Sequence, residues 1–321
     1  MIRIGTIGTS QISSKLIEAS RHVAGVSVNA VYSRDENRAL EFAESNRITK
    51  SFSNLDHLLQ DEDINCIYIA SPNALHYEHV MKSLRHNKHV ICEKPLFYKV
   101  EHFEEAYQLA DEKGLFLFEA MRHLHSPNFF QLKEKVELIG HPSSVYLQRM
   151  RYSSKYDDYL NGKIPNVFSK EMGGGALLDL GVYPISLAVG LFGEPKEVQY
   201  FPVLLDNHVD GSGTLVMNYN NFNCVIMCSK TGTSYNHSEF VGEKGTMIID
   251  QVAPISKIEF ISQQEQIQLA LNEDRPNMSY ELEQFVHMIE SRHEQSYYYY
   301  RDISYKTIKI VEQCLKPQSN V

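Results

Sequence analysis

Three side chains of this 321-residue sequence carry its strongest chemical signal: Lys94, Asp179 and Tyr183. Lys94 stands in Cys92-Glu93-Lys94-Pro95, directly after an apolar run that reads as a strand of a parallel sheet. In an open α/β sheet the carboxyl ends of the strands face the ligand, so a Lys placed there reaches a bound cofactor rather than bulk water. Asp179 and Tyr183 follow a Gly173-Gly174-Gly175 loop and are four residues apart, so a helix over them projects both from one face. Pro184 removes a backbone donor and is expected to kink that helix at the Leu180 carbonyl. Taken alone, the pair also reads as a buried aromatic and a carboxylate bonded to a nearby Arg.

The elements that must position these residues begin with the apolar run Ile2 to Ile7, closed by Gly5-Thr6-Ile7-Gly8-Thr9-Ser10 and followed by the helical pattern Ile12, Leu16, Ile17, Ala19. Further strands read at 26–32, 64–70, 88–92 and 115–118, and helices at 35–45, 54–60, 75–86 and 100–113. This alternation predicts a doubly wound parallel sheet over residues 1–121. Gly5 and Gly8 permit a tight bend, and Thr9, Ser10, Gln11 and Ile12 open a helix whose N-terminus favours a pyrophosphate. Ser10 stands where the usual dinucleotide pattern has a third glycine.

After the second strand the chain reads Tyr32-Ser33-Arg34-Asp35, where NAD sites favour a carboxylate. Ser33 and Arg34 suit the 2′-phosphate of NADP, with NAD as the alternative; in the plainer reading Arg34 is solvated and Asp35 caps the next helix. Ser71-Pro72-Asn73 and His76 follow the third long strand at its ligand-facing end and are candidates for the nicotinamide floor, although His76 also reads as a surface helix residue. With Glu93 and Lys94, these residues make a candidate nicotinamide dinucleotide site.

Residues 122–321 read as a second, α+β domain. A helix pattern at about 127–138 precedes short alternating segments from 196 to about 270, broken by turns such as Val209-Asp210-Gly211 and Gly242-Glu243-Lys244-Gly245. They predict one antiparallel sheet. Helices return near 278–292 and 302–315, with Tyr297 to Tyr300 as aromatic packing at a helix entrance. Arg122, Arg149 and Arg151 are candidates to contact a sugar or a carboxylate, against the plainer reading of solvated or interface arginines.

A net charge of −9 and no local basic cluster disfavour nucleic acid and anionic membranes as partners. No run of about 18 apolar residues and no apolar leader are present, which suggests a cytoplasmic protein. The five cysteines, at 66, 92, 224, 228 and 314, form no C-x-x-C pair and read as reduced thiols, Cys224 and Cys228 sharing one strand face. His76/His79 and His123/His125 have ligand-like spacing, but nothing completes a set, so no metal is expected.

Jointly, Gly5-x-x-Gly8, Ser33-Arg34, Pro72-Asn73, Glu93-Lys94-Pro95, Glu119-Ala120-Met121, the Gly173 to Tyr183 block and Gly242-Glu243-Lys244-Gly245-Thr246 resemble the Gfo/Idh/MocA oxidoreductase family over nearly the whole chain. Tyr rather than His at position 183 is similar to the branch containing dihydrodiol dehydrogenase and NADP-dependent xylose dehydrogenase. The resemblance implies a Rossmann domain, an open sheet domain through which a homodimer or higher homo-oligomer forms, and a sugar, polyol or diol substrate. It maps Lys94 to the catalytic lysine, Asp179 to a substrate-orienting carboxylate and Tyr183 to the acid/base. A phenol of ordinary pKa about 10 is a weak base at neutral pH, and a nearby ammonium favours its phenolate.

The segment Arg122-His123-Leu124-His125-Ser126-Pro127 departs from the family's usual aromatic-Arg-Phe pattern beside the substrate. Two other readings stay open from the same resemblance: a dinucleotide-binding regulator that senses a ligand, and an NAD-dependent relative that cleaves glycosides.

Overall fold

The computed structural model describes residues 1–316. Two compact units emerge: Met1–Met121 with Asp274–Asp302, and Arg122–Glu273 with residues 303–316. This differs from a single cut after residue 121, because a helix near the C-terminal end returns to the first unit.

In the first unit the chain runs β1 (Ile2–Ile7), α1 (Gln11–Ser20), β2 (Val26–Tyr32), α2 (Glu36–Asn46), β3 (Lys50–Phe52), α3 (Leu55–Gln60), β4 (Cys66–Ile69), α4 (His76–Arg85), β5 (His89–Glu93), α5 (Val100–Glu112) and β6 (Leu117–Ala120). The strands lie in the order β3-β2-β1-β4-β5-β6, all parallel, the expected doubly wound arrangement. Every residue of β4 is buried, as a strand covered on both faces requires. Only β3 escaped the sequence reading, being the three residues Lys-Ser-Phe with no apolar run. The strand order reverses between β1 and β4, which opens a crevice at their carboxyl ends.

The second unit contains α6 (Pro127–Lys135), β7 (Pro142–Met150), α7 (Tyr156–Leu160), α8 (Val182–Phe192), β8 (Glu197–Leu204), β9 (Asp210–Asn218), β10 (Asn223–Ser229), β11 (Ser238–Gly242), β12 (Thr246–Ile249), β13 (Ile258–Ile261) and β14 (Gln266–Gln268). Its sheet has the order β14-β13-β12-β11-β7-β10-β9-β8. Pairing is antiparallel except between β7 and β10, which run parallel, so the sheet is mainly antiparallel as expected. β9 shows why the alternation was legible: Gly211, Gly213, Leu215 and Met217 point inward and their neighbours do not. Gly213 is required there, since a Cβ would stand 2.2 Å from the Tyr200 hydroxyl. Asp210 and Gly211 begin this strand instead of forming the expected turn, which falls just before them at Asp206-Asn207-His208, with His208 at φ +62°.

α9 (Asn277–Ser291) and α10 (Glu294–Leu315) follow. α9 belongs to the first unit because Phe285 stacks on Phe118 of β6 at 4.4 Å and the Ser279 hydroxyl donates to the Ala19 carbonyl of α1. α10 starts well before the expected residue 302, so the tyrosine run lies in its first turns. There Tyr297 is buried, with its ring 4.9 Å from Phe116 and 5.5 Å from Phe118. All five cysteines are free and buried, Cys224 and Cys228 on one face of β10, and burial pushes the Cys66 thiol up to about 12. Among the described residues no helix is long and apolar enough to cross a membrane.

Candidate active site

In the first unit, the β1–α1 turn has the shape a pyrophosphate needs. Gly8 adopts φ +113°, and a Cβ there would stand 2.7 Å from the Ala70 carbonyl oxygen, so only glycine lets the turn approach the end of β4. Ser10 occupies the N-cap position of α1 without capping it, its hydroxyl lying 3.4 Å from Ser13 Oγ. By contrast, Asp35, Asn54 and Ser126 each accept from an N–H of the helix they precede. The N-terminus of α1 therefore keeps its N–H groups and positive dipole end for an anion. At the end of β2, Arg34 is exposed, while Asp35 caps α2 through Arg38 N–H at 3.1 Å. Both parts of the plainer reading are thus seen, and exposure leaves the Arg34 guanidinium open to a phosphate.

Around Lys94, buried hydrogen bonds fix the backbone on both sides. Tyr68 Oη donates to Glu93 Oε1 at 2.5 Å, and burial, then the Glu93 charge, raises that phenol's pKa well above its ordinary value. Two residues beyond Lys94, the Leu96 N–H donates to Glu119 Oε1 at 2.7 Å. His76 is 1% exposed and spans the Pro95 carbonyl (Nδ1, 2.8 Å) and the Ser71 carbonyl (Nε2, 2.9 Å). Burial pushes its pKa down against the pull of those two acceptors.

His76 is therefore a tie between the Ser71 and Pro95 loops, neither a surface residue nor open to a cofactor. Ser71 is likewise occupied, its hydroxyl lying 2.9 Å from His79 Nδ1. Pro72 and Asn73 enter a short 3₁₀ turn ahead of α4, at the ligand-facing end of β4.

In the second unit, Asp179 and Tyr183 lie on one continuous helical segment, and the turn that holds the Leu180 carbonyl, just before Pro184, is irregular as expected. Leu177–Gly181 forms a π-helical turn in which Val182 N–H reaches the Leu177 carbonyl, and Pro184 then falls in the first turn of α8. The start of the segment is anchored by Asp210, which accepts from Leu177 N–H at 2.7 Å and Tyr200 Oη at 2.6 Å, while burial raises its pKa.

Asp179 is bonded to Lys230. The Lys230 side chain is 1% exposed, its Nζ 5.1 Å from the centre of the Phe168 ring. Tyr183 is held on two sides. The Arg149 guanidinium lies over its ring at 5.7 Å, and the His123 ring meets it edge-on at 5.2 Å. His123 Nε2 contacts the Tyr183 carbonyl and Ser186 Oγ, each at 3.1 Å, and because Ser186 donates onward to the Val182 carbonyl, Nε2 carries the hydrogen. Burial pushes the His123 pKa down to about 3, so the ring is neutral.

Lys230, His123, Asp210 and Glu119 were missed as site residues. His123, in the segment where the chain departs from the family pattern, and Glu119, in the Glu119-Ala120-Met121 motif, carried a signal.

Residues 2–121 match the Gfo/Idh/MocA oxidoreductase family with its NAD-binding Rossmann fold, and residues 131–248 match the family's C-terminal domain. The chain belongs to this family. It is 37% identical over 317 residues to the NADP(+)-dependent scyllo-inositol 2-dehydrogenase IolU of Bacillus subtilis, covering 98% of this chain and 97% of that one. The trans-1,2-dihydrobenzene-1,2-diol dehydrogenase of Xenopus tropicalis is 29% identical over 79% of this chain and 77% of its own. Among solved structures, the 3-ketoreductase KijD10 of Actinomadura kijaniata, in complex with NADP and TDP-benzene, superimposes with a TM-score of 0.84 at 25% identity, over 97% of this chain and 96% of that one. As a member of the Gfo/Idh/MocA family, this protein is an oxidoreductase with a dinucleotide-binding Rossmann unit.

Proposed function

We propose that this protein is an NADP-dependent dehydrogenase or reductase acting on a secondary or hemiacetal alcohol of a sugar, polyol or diol, with Tyr183 as the acid/base. The observation that carries this reading is the setting of Tyr183, gripped by His123 and Arg149 on the segment that also presents the Lys230-balanced carboxylate of Asp179. NADP supplies the hydride acceptor, held by the Gly5 to Ile12 turn with its 2′-phosphate at Ser33 and Arg34. The NADP named for IolU and KijD10 supports that choice.

In the oxidising direction Tyr183 Oη takes the hydroxyl proton, and the adjacent guanidinium stabilises the negative charge that develops there. Asp179 accepts a hydrogen bond from a second substrate hydroxyl, Arg122 contacts the substrate, and Lys94 orients the nicotinamide ribose. Reduction reverses the proton's path.

A homodimer is part of the same reading. The outward face of the second sheet carries Val216, Val225 and Tyr146 in register across β9, β10 and β7, with Phe201 and Met227 on the next row either side of Thr214, a surface suited to a second copy. A cytoplasmic setting fits the family.

The test is NADP reduction across a panel of aldoses, inositols and trans-dihydrodiols, with wild type and Tyr183→Phe. Loss of the general acid/base lowers kcat about 100-fold or more while NADP binding persists. Near-normal turnover in Tyr183→Phe would remove the assigned role.

A further inference from the structure

Beside Tyr183 the second unit holds positive charge that its own residues leave unbalanced. Arg149 and Arg151, on the last turn of β7 and just past it, line a cavity of about 480 Å³ together with Gln148, Tyr235, Asp250 and Gln251. Arg149 joins this cavity to the reacting group, since its guanidinium lies over the Tyr183 ring. Its protein hydrogen bond goes to a neutral group, Nη1 donating to Gln251 Oε1 at 3.0 Å, and its Nε is buried without a partner among the described residues. The Nε of Arg122 is in the same condition.

Like charges surround Arg149: burial first, then Arg122 and Arg151, press its pKa down, with Tyr183 and Asp179 opposing. Both nearby carboxylates have other partners. Asp179 is bonded to Lys230, and Asp250 accepts from Ser256 N–H, Ser256 Oγ and Lys257 N–H. Buried guanidinium N–H groups that lack acceptors are costly, and a planar fork of donors at a cavity wall matches a carboxylate or phosphate.

We propose that this cavity receives an oxyanion carried by the substrate, a carboxylate or phosphate on a sugar or polyol, held by Arg149 and Arg151 while the reacting alcohol lies at Tyr183 Oη. The inference rests on the reading of Tyr183 as acid/base, and it narrows the substrate to an acidic sugar derivative. It differs from the neutral cyclitol and diol in the relatives' names. Arg149 spans the two functions, lining the cavity while its guanidinium lies over the Tyr183 ring.

The test measures binding of glucose, glucuronate, glucose 6-phosphate and inorganic phosphate to the full-length protein by calorimetry at two salt concentrations, with Arg151→Gln alongside. One of the two sugar anions is expected to bind at least about tenfold tighter than glucose, less so at high salt, and the gap is expected to close in Arg151→Gln. Which anion wins identifies the source as a sugar acid or a sugar phosphate. Equal binding of all three sugars, a gap that survives Arg151→Gln, or inorganic phosphate binding as tightly as the sugar phosphate would each overturn the proposal. Turnover separates this from the broader reading. Neutral alcohols oxidised with no anion preference would remove the anion site alone, whereas anion binding with no NADP-linked turnover on any alcohol would remove the dehydrogenase reading.

Discussion

The loop around Lys94 and the helix start around Tyr183 are built on opposite plans. Beside Lys94, polar groups largely satisfy one another: Glu93 accepts from Tyr68, Glu119 accepts from Leu96 N–H, and the neutral His76 ring donates to one of the two backbone carbonyls it lies between. Beside Tyr183, one anion is balanced by Lys230, yet the Nε atoms of Arg122 and Arg149 and Nδ1 of His123 are buried without partners among the described residues. A satisfied network holds one geometry, whereas buried polar groups without partners cost stability and persist where function needs them. The contrast suits a first unit that binds the dinucleotide and a second proposed to meet the substrate.

The largest stability effect is expected from breaking the Asp179–Lys230 pair, and its size depends on which partner is removed. The Lys230 side chain is 1% exposed and that of Asp179 32%. Asp179→Asn strands a buried ammonium and is expected to cost roughly 3 kcal/mol or more, the range for uncompensated buried charges. Lys230→Met leaves a carboxylate that water reaches and fills the space with an apolar chain, so its cost is about 1 kcal/mol or less. Urea denaturation of both variants checks the asymmetry; equal losses would show that Lys230 is solvated as well as its partner.

A smaller effect separates the regions by pH. The His123 pKa falls from 6.5 to about 3 on folding, so the unfolded chain binds a proton that the native ring refuses. Its contribution is intact above pH 6.5 and is lost as pH falls below that value, levelling off near 3, which amounts to about 2 kcal/mol between pH 6.5 and 5. His123→Gln keeps a donor for the Tyr183 carbonyl and cannot titrate. Its denaturation midpoint is expected to fall less steeply over that interval than the wild type's, and identical slopes would contradict a neutral His123. In the first unit, His79 and His89, both pushed down to about 4 by burial, add their own acid sensitivity and leave a residual slope in the variant.

These supports mark where sequence legibility ends. Most strands of both sheets were readable because apolar runs and strict alternation are local patterns; β4 is buried throughout and β9 on every second residue, whereas β7, whose burial does not alternate, went unread. Lys94, Asp179 and Tyr183 were singled out because motifs fix their spacing. Lys230 stands in Ser229-Lys230-Thr231 like any strand-end lysine, and only the folded sheet brings it to Asp179. Asp210 read as a turn because Asp-Gly is a turn signal, whereas tertiary burial made it the acceptor for Leu177 and Tyr200. His76 sits among Tyr77, Glu78 and His79, a context that looks solvated, and turned inward because the neighbouring loops offered two carbonyls.

The smallest effect tests the contrast most directly, because the two regions are expected to respond with opposite signs. Glu119→Ala removes the acceptor of a buried N–H beside Lys94, and an unsatisfied buried donor costs about 1 to 2 kcal/mol. Arg149→Met removes a buried guanidinium that has like charges nearby and an Nε without a partner, and puts an apolar chain of similar reach in its place. Replacing unbalanced buried charge by packing is neutral or stabilising, here by up to about 1 kcal/mol. Thermal unfolding of the two variants is expected to show a lower Tm for Glu119→Ala and an equal or higher one for Arg149→Met. If Arg149→Met unfolds at a clearly lower temperature, the guanidinium is a structural part of the second unit, and the arginine cluster loses its standing as a region held ready for substrate.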